Sequence, residues 1–182
     1  MILARRAALL GASHLAALGL GFAGGIYALP ILTAPPAPKS GELDAAQAGA
    51  RYQARFDRNH PGSDALHWGE GDIYLAPRQI VHRGRLAPGP DYRLYLTPEL
   101  VANKATFAAI KPRSVQVGEV KSFNGFILGV PQDVDIEAYT SVLIWCEAFS
   151  QFITAARYRS RLPYIFRQIG LRFSAKAFGP SI

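Results

Sequence analysis

Residues 7–34, AALLGASHLAALGLGFAGGIYALPILTA, contain no formally charged side chain, whereas beyond them apolar positions come in short runs broken by Gly, Pro and polar residues. The first pattern predicts a membrane-crossing helix. A hydrocarbon core of about 30 Å needs roughly 20 apolar residues at helical rise, while the apolar part of a removed secretory signal usually spans about 7 to 15. Cleavage near the small residues of Phe22-Ala23-Gly24-Gly25 is the alternative, without the Ala-x-Ala context a peptidase prefers. Pro30, Pro35, Pro36 and Pro38 end the span and stiffen its exit. His14 reads as a neutral imidazole near the cytoplasmic end of the span, turned toward the headgroups.

The next pattern is ELDAAQAGARYQARF, with good helix formers and apolar spacing at Leu43, Ala46, Ala50 and Ala54. It predicts a short exposed helix from Glu42 to Phe56 with Ser40 at its N-cap. Pro61-Gly62 marks a boundary, and from about Leu66 the periodicity becomes that of strands. Tyr92, Leu94 and Leu96 fall on one face and Arg93, Tyr95 and Thr97 on the other, as in a half-buried strand. Thr97-Pro98-Glu99 then predicts a helical start running to about Ile110. VQVGEVK and FILGVP read as further strands, with Gly118 suited to a bulge and Asn124-Gly125 to a turn. SVLIWCEAF reads as a core strand and QFITAARY continues the sheet.

Together these elements predict an all-β domain, a small sandwich or barrel, preceded by a transmembrane helix and a short linker helix. Residues 1–36 form the cytoplasmic N-terminus and signal anchor, 37–64 the linker, 65–159 the β domain and 160–182 a basic, aromatic tail.

The chain's 182 residues suit one core rather than two. Its net charge of +7 suggests nucleic acid until it is divided along the sequence. Residues 42–147 hold all thirteen acids against eleven bases, so the folded body is mildly acidic and lacks a nucleic-acid footprint. The surplus lies at the ends. Arg5 and Arg6 precede the span and nothing basic follows it until Lys39, which places the N-terminus in the cytoplasm and the body outside the inner membrane, in the periplasm. The tail after Ser160 has four bases and no acid, and two readings stand for it: contact with anionic lipid, or an element closing the β body.

Cys146 is the one cysteine of a chain read as extracytoplasmic. A lone thiol there is buried and inert, paired between chains, bound to a cofactor or metal, or reactive. His67 and His82 lie within the strand-like body and His60 just before it, none at metal-ligand spacing, and no CxxC or HExxH occurs. Cys146 with His67 or His82 as axial haem ligands is a candidate site assembled across the fold; surface histidines are the plainer reading. GxSxG, SxxK and a phosphate-binding loop are missing, so no catalytic constellation can be named. Asp133, Asp135 and Glu137 read as a solvated turn.

The stretch from His67 to Tyr158 resembles the DM-thirteen domain. The residues carrying the likeness are Gly89-Pro90-Asp91 leading into a strand, the step from Val117-Gly118 to Lys121, and Trp145-Cys146 with Phe149 three residues on. Ile127 and Gly129 depart from the pattern where Gln and Tyr are usual, and Ile153 where Gly is frequent. The resemblance implies a β-rich extracytoplasmic domain whose characteristic cysteine, here Cys146, serves electron transfer as a naked thiol or by holding a group such as haem, together with a redox protein partner. The competing expectation is a cofactor-free envelope interaction or scaffold domain in which Cys146 belongs to the core.

Overall fold

The computed structural model describes residues 2–160, so the expectations for the basic tail fall almost wholly outside the described residues. Helix α1, Ile2–Thr33, buries none of its side chains against the rest of the chain and is long and apolar enough to cross a membrane. Helix α2, Ser40–Gln47, is closed at its start by Glu42, whose carboxylate accepts the Lys39 N–H at 2.9 Å. The chain then forms β1 (Tyr52–Phe56), β2 (Gly69–Ala76), β3 (Gln79–Leu86), β4 (Tyr92–Thr97), α3 (Lys104–Ile110), β5 (Val115–Val120), β6 (Phe126–Gly129), β7 (Ser141–Cys146) and β8 (Gln151–Arg157).

The strands make two antiparallel four-stranded sheets, ordered β1-β2-β3-β6 and β5-β4-β7-β8, so the fold is the expected all-β sandwich. Alternation along the strands sends Ile73, Leu75, Ile80, Leu94, Leu96, Val142 and Ile144 into the shared core. Gly118 sits at a register shift, where Leu94 faces Gly118 but Tyr95 faces Gln116. Gly125 (φ 87°) takes the left-handed backbone of the turn before β6.

Pro30 lies inside α1 rather than at its end, Ser40 is the first residue of α2 rather than its N-cap, and three further sequence expectations change. The linker helix stops at Gln47, and Tyr52–Phe56 pairs as an edge strand with β2, because Tyr52, Ala54 and Phe56 alternate against Gln53 and Arg55. The helix expected from Pro98 starts at Lys104, where the Asn103 side chain accepts the Thr106 N–H and Thr106 Oγ1 accepts the Asn103 N–H. The outer face of β4 is also buried: α3 lays Phe107 and Ile110 over Tyr95, Leu143, Trp145 and Phe152, forming a second apolar layer.

The sandwich has two ends. At the near end lie the starts of β4, β6 and β8, the ends of β5 and β7, and the turn Gly89-Pro90-Asp91. The chain arrives there from α1: Ala34 packs against the inter-sheet core, and Pro30 and Thr33 share a groove with Gly89, Asp91, Val120 and Phe123. From Ser40, α2 runs along the outer face of the first sheet, where Gln79 Nε2 donates to the Ala46 carbonyl at 2.6 Å and Arg83 reaches Asp44 and Gln47. Chain then enters β1 at the far end.

Candidate functional site

Cys146 is the last residue of β7, at the near end, facing the inter-sheet core with 2% of its surface exposed. Its strand neighbours are Tyr92 on β4 and Gln151 on β8. The thiol donates to the Pro90 carbonyl at 3.0 Å. The turn that holds this carbonyl is set by its own residues. A Cβ at Gly89 would lie 2.5 Å from the Tyr92 hydroxyl oxygen, so only glycine lets that ring close over the turn. Asp91 occupies the left-handed region (φ 52°), which Asp tolerates better than most residues, and its carboxylate pairs with Arg93 at 2.6 Å. The Asp91 carbonyl in turn accepts the Glu147 N–H at 3.1 Å, tying the turn to the residue after the cysteine.

Burial pushes the Cys146 thiol above its ordinary pKa. The N–H groups of Phe149 and Ala148 pull the other way, and the carboxylates of Asp91 and Glu147 add to the rise. Cys146 is therefore a protonated S–H donor at neutral pH, unlike the lowered-pKa, accessible thiols that attack disulfides. Glu147 behaves oppositely: burial alone would raise its pKa, but Lys111 and the Tyr95 hydroxyl outweigh burial and hold it low. Lys111 Nζ lies 2.8 Å from both Glu147 oxygens, above the rings of Tyr95, Phe107 and Trp145. Nothing in the sequence pattern linked Lys111 to Glu147, because the pair closes across 36 residues.

Tyr92 packs edge-on against Phe123, and its phenol is raised well beyond the usual range, by burial first and then by Cys146, Tyr27 of α1 and Asp64. Asp64 leads to His67. Its carboxylate holds His67 Nδ1 at 2.9 Å and also accepts the N–H groups of Leu66 and His67. Burial pushes the Asp64 carboxyl up, but these hydrogen bonds prevail and keep it below its ordinary value. His67, partly exposed, thus stands at the near end with Nδ1 engaged by a carboxylate, the arrangement that orients an imidazole.

His82 is placed differently. It is fully buried on β3 between the rings of Phe56 and Phe126, at 5.3 and 5.2 Å between centroids. Its Nε2 donates to the Glu70 carbonyl at 3.0 Å, and Nδ1 has no hydrogen-bond partner. Burial lowers its pKa to about 4, so the ring is neutral. Neither histidine is hydrogen-bonded or stacked to Cys146.

A haem between Cys146 and His82 fits this packing poorly. Three grooves of about 250, 300 and 180 Å³ on the surface are lined by none of Cys146, His67 and His82. A macrocycle between Cys146 and His82 would have to displace the aromatic rings that sandwich the imidazole. Among the described residues no group of three or more His, Cys, Asp and Glu side chains is placed to hold a metal ion.

No curated protein and no solved structure matches the chain. The model of a family described as electron transfer DM13 matches residues 62–158, more than half of the sequence, from the loop carrying Asp64 and His67 through Gly89-Pro90-Asp91 to Cys146 and the end of β8. The chain belongs to the electron transfer DM13 family.

Proposed function

We propose that the chain is a membrane-anchored, extracytoplasmic electron-transfer module whose working centre is Cys146, with the N-terminus in the cytoplasm and the sandwich in the periplasm beside the inner membrane. Membership of an electron-transfer family supports the redox role. The exposed apolar helix α1, preceded by Arg5 and Arg6, supports the anchor and its direction. The observation that carries the cysteine is its setting. A turn needing Gly89 and a left-handed Asp91 serves to hold a carbonyl 3.0 Å from the one thiol in the protein. A buried protonated thiol must release its proton when it gives up an electron to the partner, and the carboxylates that neighbour it, Asp91 and Glu147, are candidate acceptors. The partner is a redox protein or a carrier that reaches the near end.

The test is a redox titration of the full chain purified in its own lipids, beside Cys146→Ser with the β fold verified by circular dichroism. Loss of the redox transition in the variant is expected, and an unchanged transition overturns the assignment of Cys146.

A second reading, a cofactor-free interaction or scaffold domain, is favoured by one specific observation: Cys146 is nearly inaccessible, and its S–H is already satisfied by Pro90. Labelling by a maleimide under native conditions separates the two. A working thiol reacts when the near-end turn opens, with a rate that rises with pH, whereas a purely structural cysteine reacts only at the rate of global unfolding.

A further inference from the structure

Two apolar loop tips and one helix end meet at the near end of the sandwich. Leu66, 62% exposed, stands in the loop before β2 beside exposed Ala65, and Phe149, 52% exposed, stands in the β7–β8 turn beside exposed Ala148. Neither exposure reflects a loose loop. Asp64 accepts the backbone N–H groups of Leu66 and His67 at 2.7 and 2.8 Å, and its own N–H donates to the His67 carbonyl at 2.8 Å. The other turn is closed by Ser150 N–H on the Glu147 carbonyl at 3.2 Å, with Ser150 in the left-handed region (φ 48°). Both tips hold large apolar groups out from the body on fixed backbone, where water is a poor neighbour.

The helix end supplies the neighbour. Thr33 ends α1, Ala34 already packs on the inter-sheet core, and Pro30 lies in a groove with Gly89, Asp91 and Phe123. A span that finishes against the near end brings that end to the bilayer surface. The residues around the tips suit the headgroup layer. Trp68 carries the Arg58 guanidinium 3.6 Å from its ring centre, and Lys121, exposed beside the exit, pairs with Glu119 at 3.3 Å. Among the described residues the far end is more polar: its turn residues Gln132, Asp133 and Asp135 are exposed, its aromatic Tyr158 is buried, and Leu100, beyond the end of β4, is less exposed than either tip, at 38%.

We infer that the near end of the sandwich rests on the bilayer that α1 spans, with Leu66 and Phe149 inserted at the boundary between headgroups and acyl chains. The inference rests on the anchoring part of the proposed function and is independent of any chemistry at Cys146. The occupant of this surface is lipid, because the span itself delivers the surface to lipid and the tips are apolar rather than basic. Side chains of this kind enter about 5 to 10 Å below the headgroups.

The test uses the full chain in vesicles of phosphatidylcholine with a minor share of phosphatidylglycerol, made with plain or brominated acyl chains. Tryptophan is introduced singly as Leu66→Trp, Phe149→Trp, Asp133→Trp at the far end and Leu18→Trp in the span, and emission is corrected for Trp68 and Trp145 of the parent chain. All but the span variant replace exposed positions of the body, and circular dichroism checks each fold. Bromine quenching at 66 and 149 several-fold stronger than at 133 is expected, with strong quenching at 18. Quenching at 18 with 66 and 149 no different from 133 overturns the resting surface and leaves the anchor standing. Absence of quenching at 18 removes the anchor, and the inference falls with it. Neither result touches the redox role of Cys146, which the titration decides separately.

Discussion

The two ends of the sandwich are built on opposite rules. At the far end, polar groups are gathered and satisfied: Glu137 accepts the Tyr52 hydroxyl at 2.5 Å and Arg159 at 2.9 Å, with Arg51 at 3.6 Å, while the buried Tyr158 hydroxyl donates to the Ile136 carbonyl at 2.7 Å. The Tyr52 and Tyr158 rings pack 5.4 Å apart, closing β1 against β8. Toward the near end lie a buried thiol with a raised pKa, a neutral imidazole with an unpartnered nitrogen, two left-handed non-glycine residues at the surface and two protruding apolar tips. Such features cost stability, and proteins retain them where they serve function. On the proposed reading, the far end stabilises the fold and the near end uses it.

That contrast can be broken most strongly at the far end. Tyr158→Ala should cost about 3 to 5 kcal/mol, as expected for a buried aromatic that also loses a satisfied hydroxyl, measured by urea unfolding. A cost under about 1 kcal/mol would mean the far end is not the stabilising region.

His82 tests the near half through pH. Its pKa is lowered on folding from 6.5 to about 4, so the unfolded chain binds the proton more readily, and stability present above pH 6.5 is lost as pH falls toward 4. The loss amounts to about 3 kcal/mol. His82→Phe should remove that slope from unfolding curves taken between these pH values, and an unchanged slope would show that the imidazole is not the group responsible.

Smaller effects follow. Glu137→Gln should cost about 1 kcal/mol, because the carboxylate is partly exposed and its ion pairs are screened. Glu147→Gln should lower the Cys146 pKa by removing a neighbouring negative charge, shifting the pH profile of maleimide labelling to lower pH. A shift to higher pH would contradict the electrostatics described for the thiol. Smallest of all, Phe149→Ser should leave the stability of the chain in detergent within about 0.5 kcal/mol, since about half of the ring already faces solvent in the turn.

Most of the sandwich was legible in the sequence because period-two alternation survives wherever one face is buried against the other sheet, as in Tyr92, Leu94 and Leu96. It failed where a second layer was added. Tyr95 and Thr97 read as the solvent face of β4, yet both are buried, because α3 and the segment before it cover them from a distance along the chain that periodicity does not encode. Strand β1 was hidden by helix-forming alanines and arginines, which pairing with β2 overrode. Cys146 stood out by being unique, and the Gly89-Pro90-Asp91 turn by its composition, but their contact closes 56 residues of chain. The ion clusters of Glu147 and Glu137 were invisible for the same reason: a carboxylate before or after a core strand gives no sign of its partner.

The exit from α1 carries a consequence for encounter. Only six residues, 34–39, separate the two helices, and Pro35, Pro36 and Pro38 within that stretch keep it extended. At about 3.1 Å per residue the connector reaches roughly 19 Å, less than the length of the domain it would have to release. With α1 in a bilayer, as proposed, the sandwich would be unable to sweep the space beyond the membrane in search of a counterpart. Its search would then be lateral diffusion in two dimensions, and a counterpart would meet it by sharing the same thin layer, where confinement rather than affinity raises the frequency of collision.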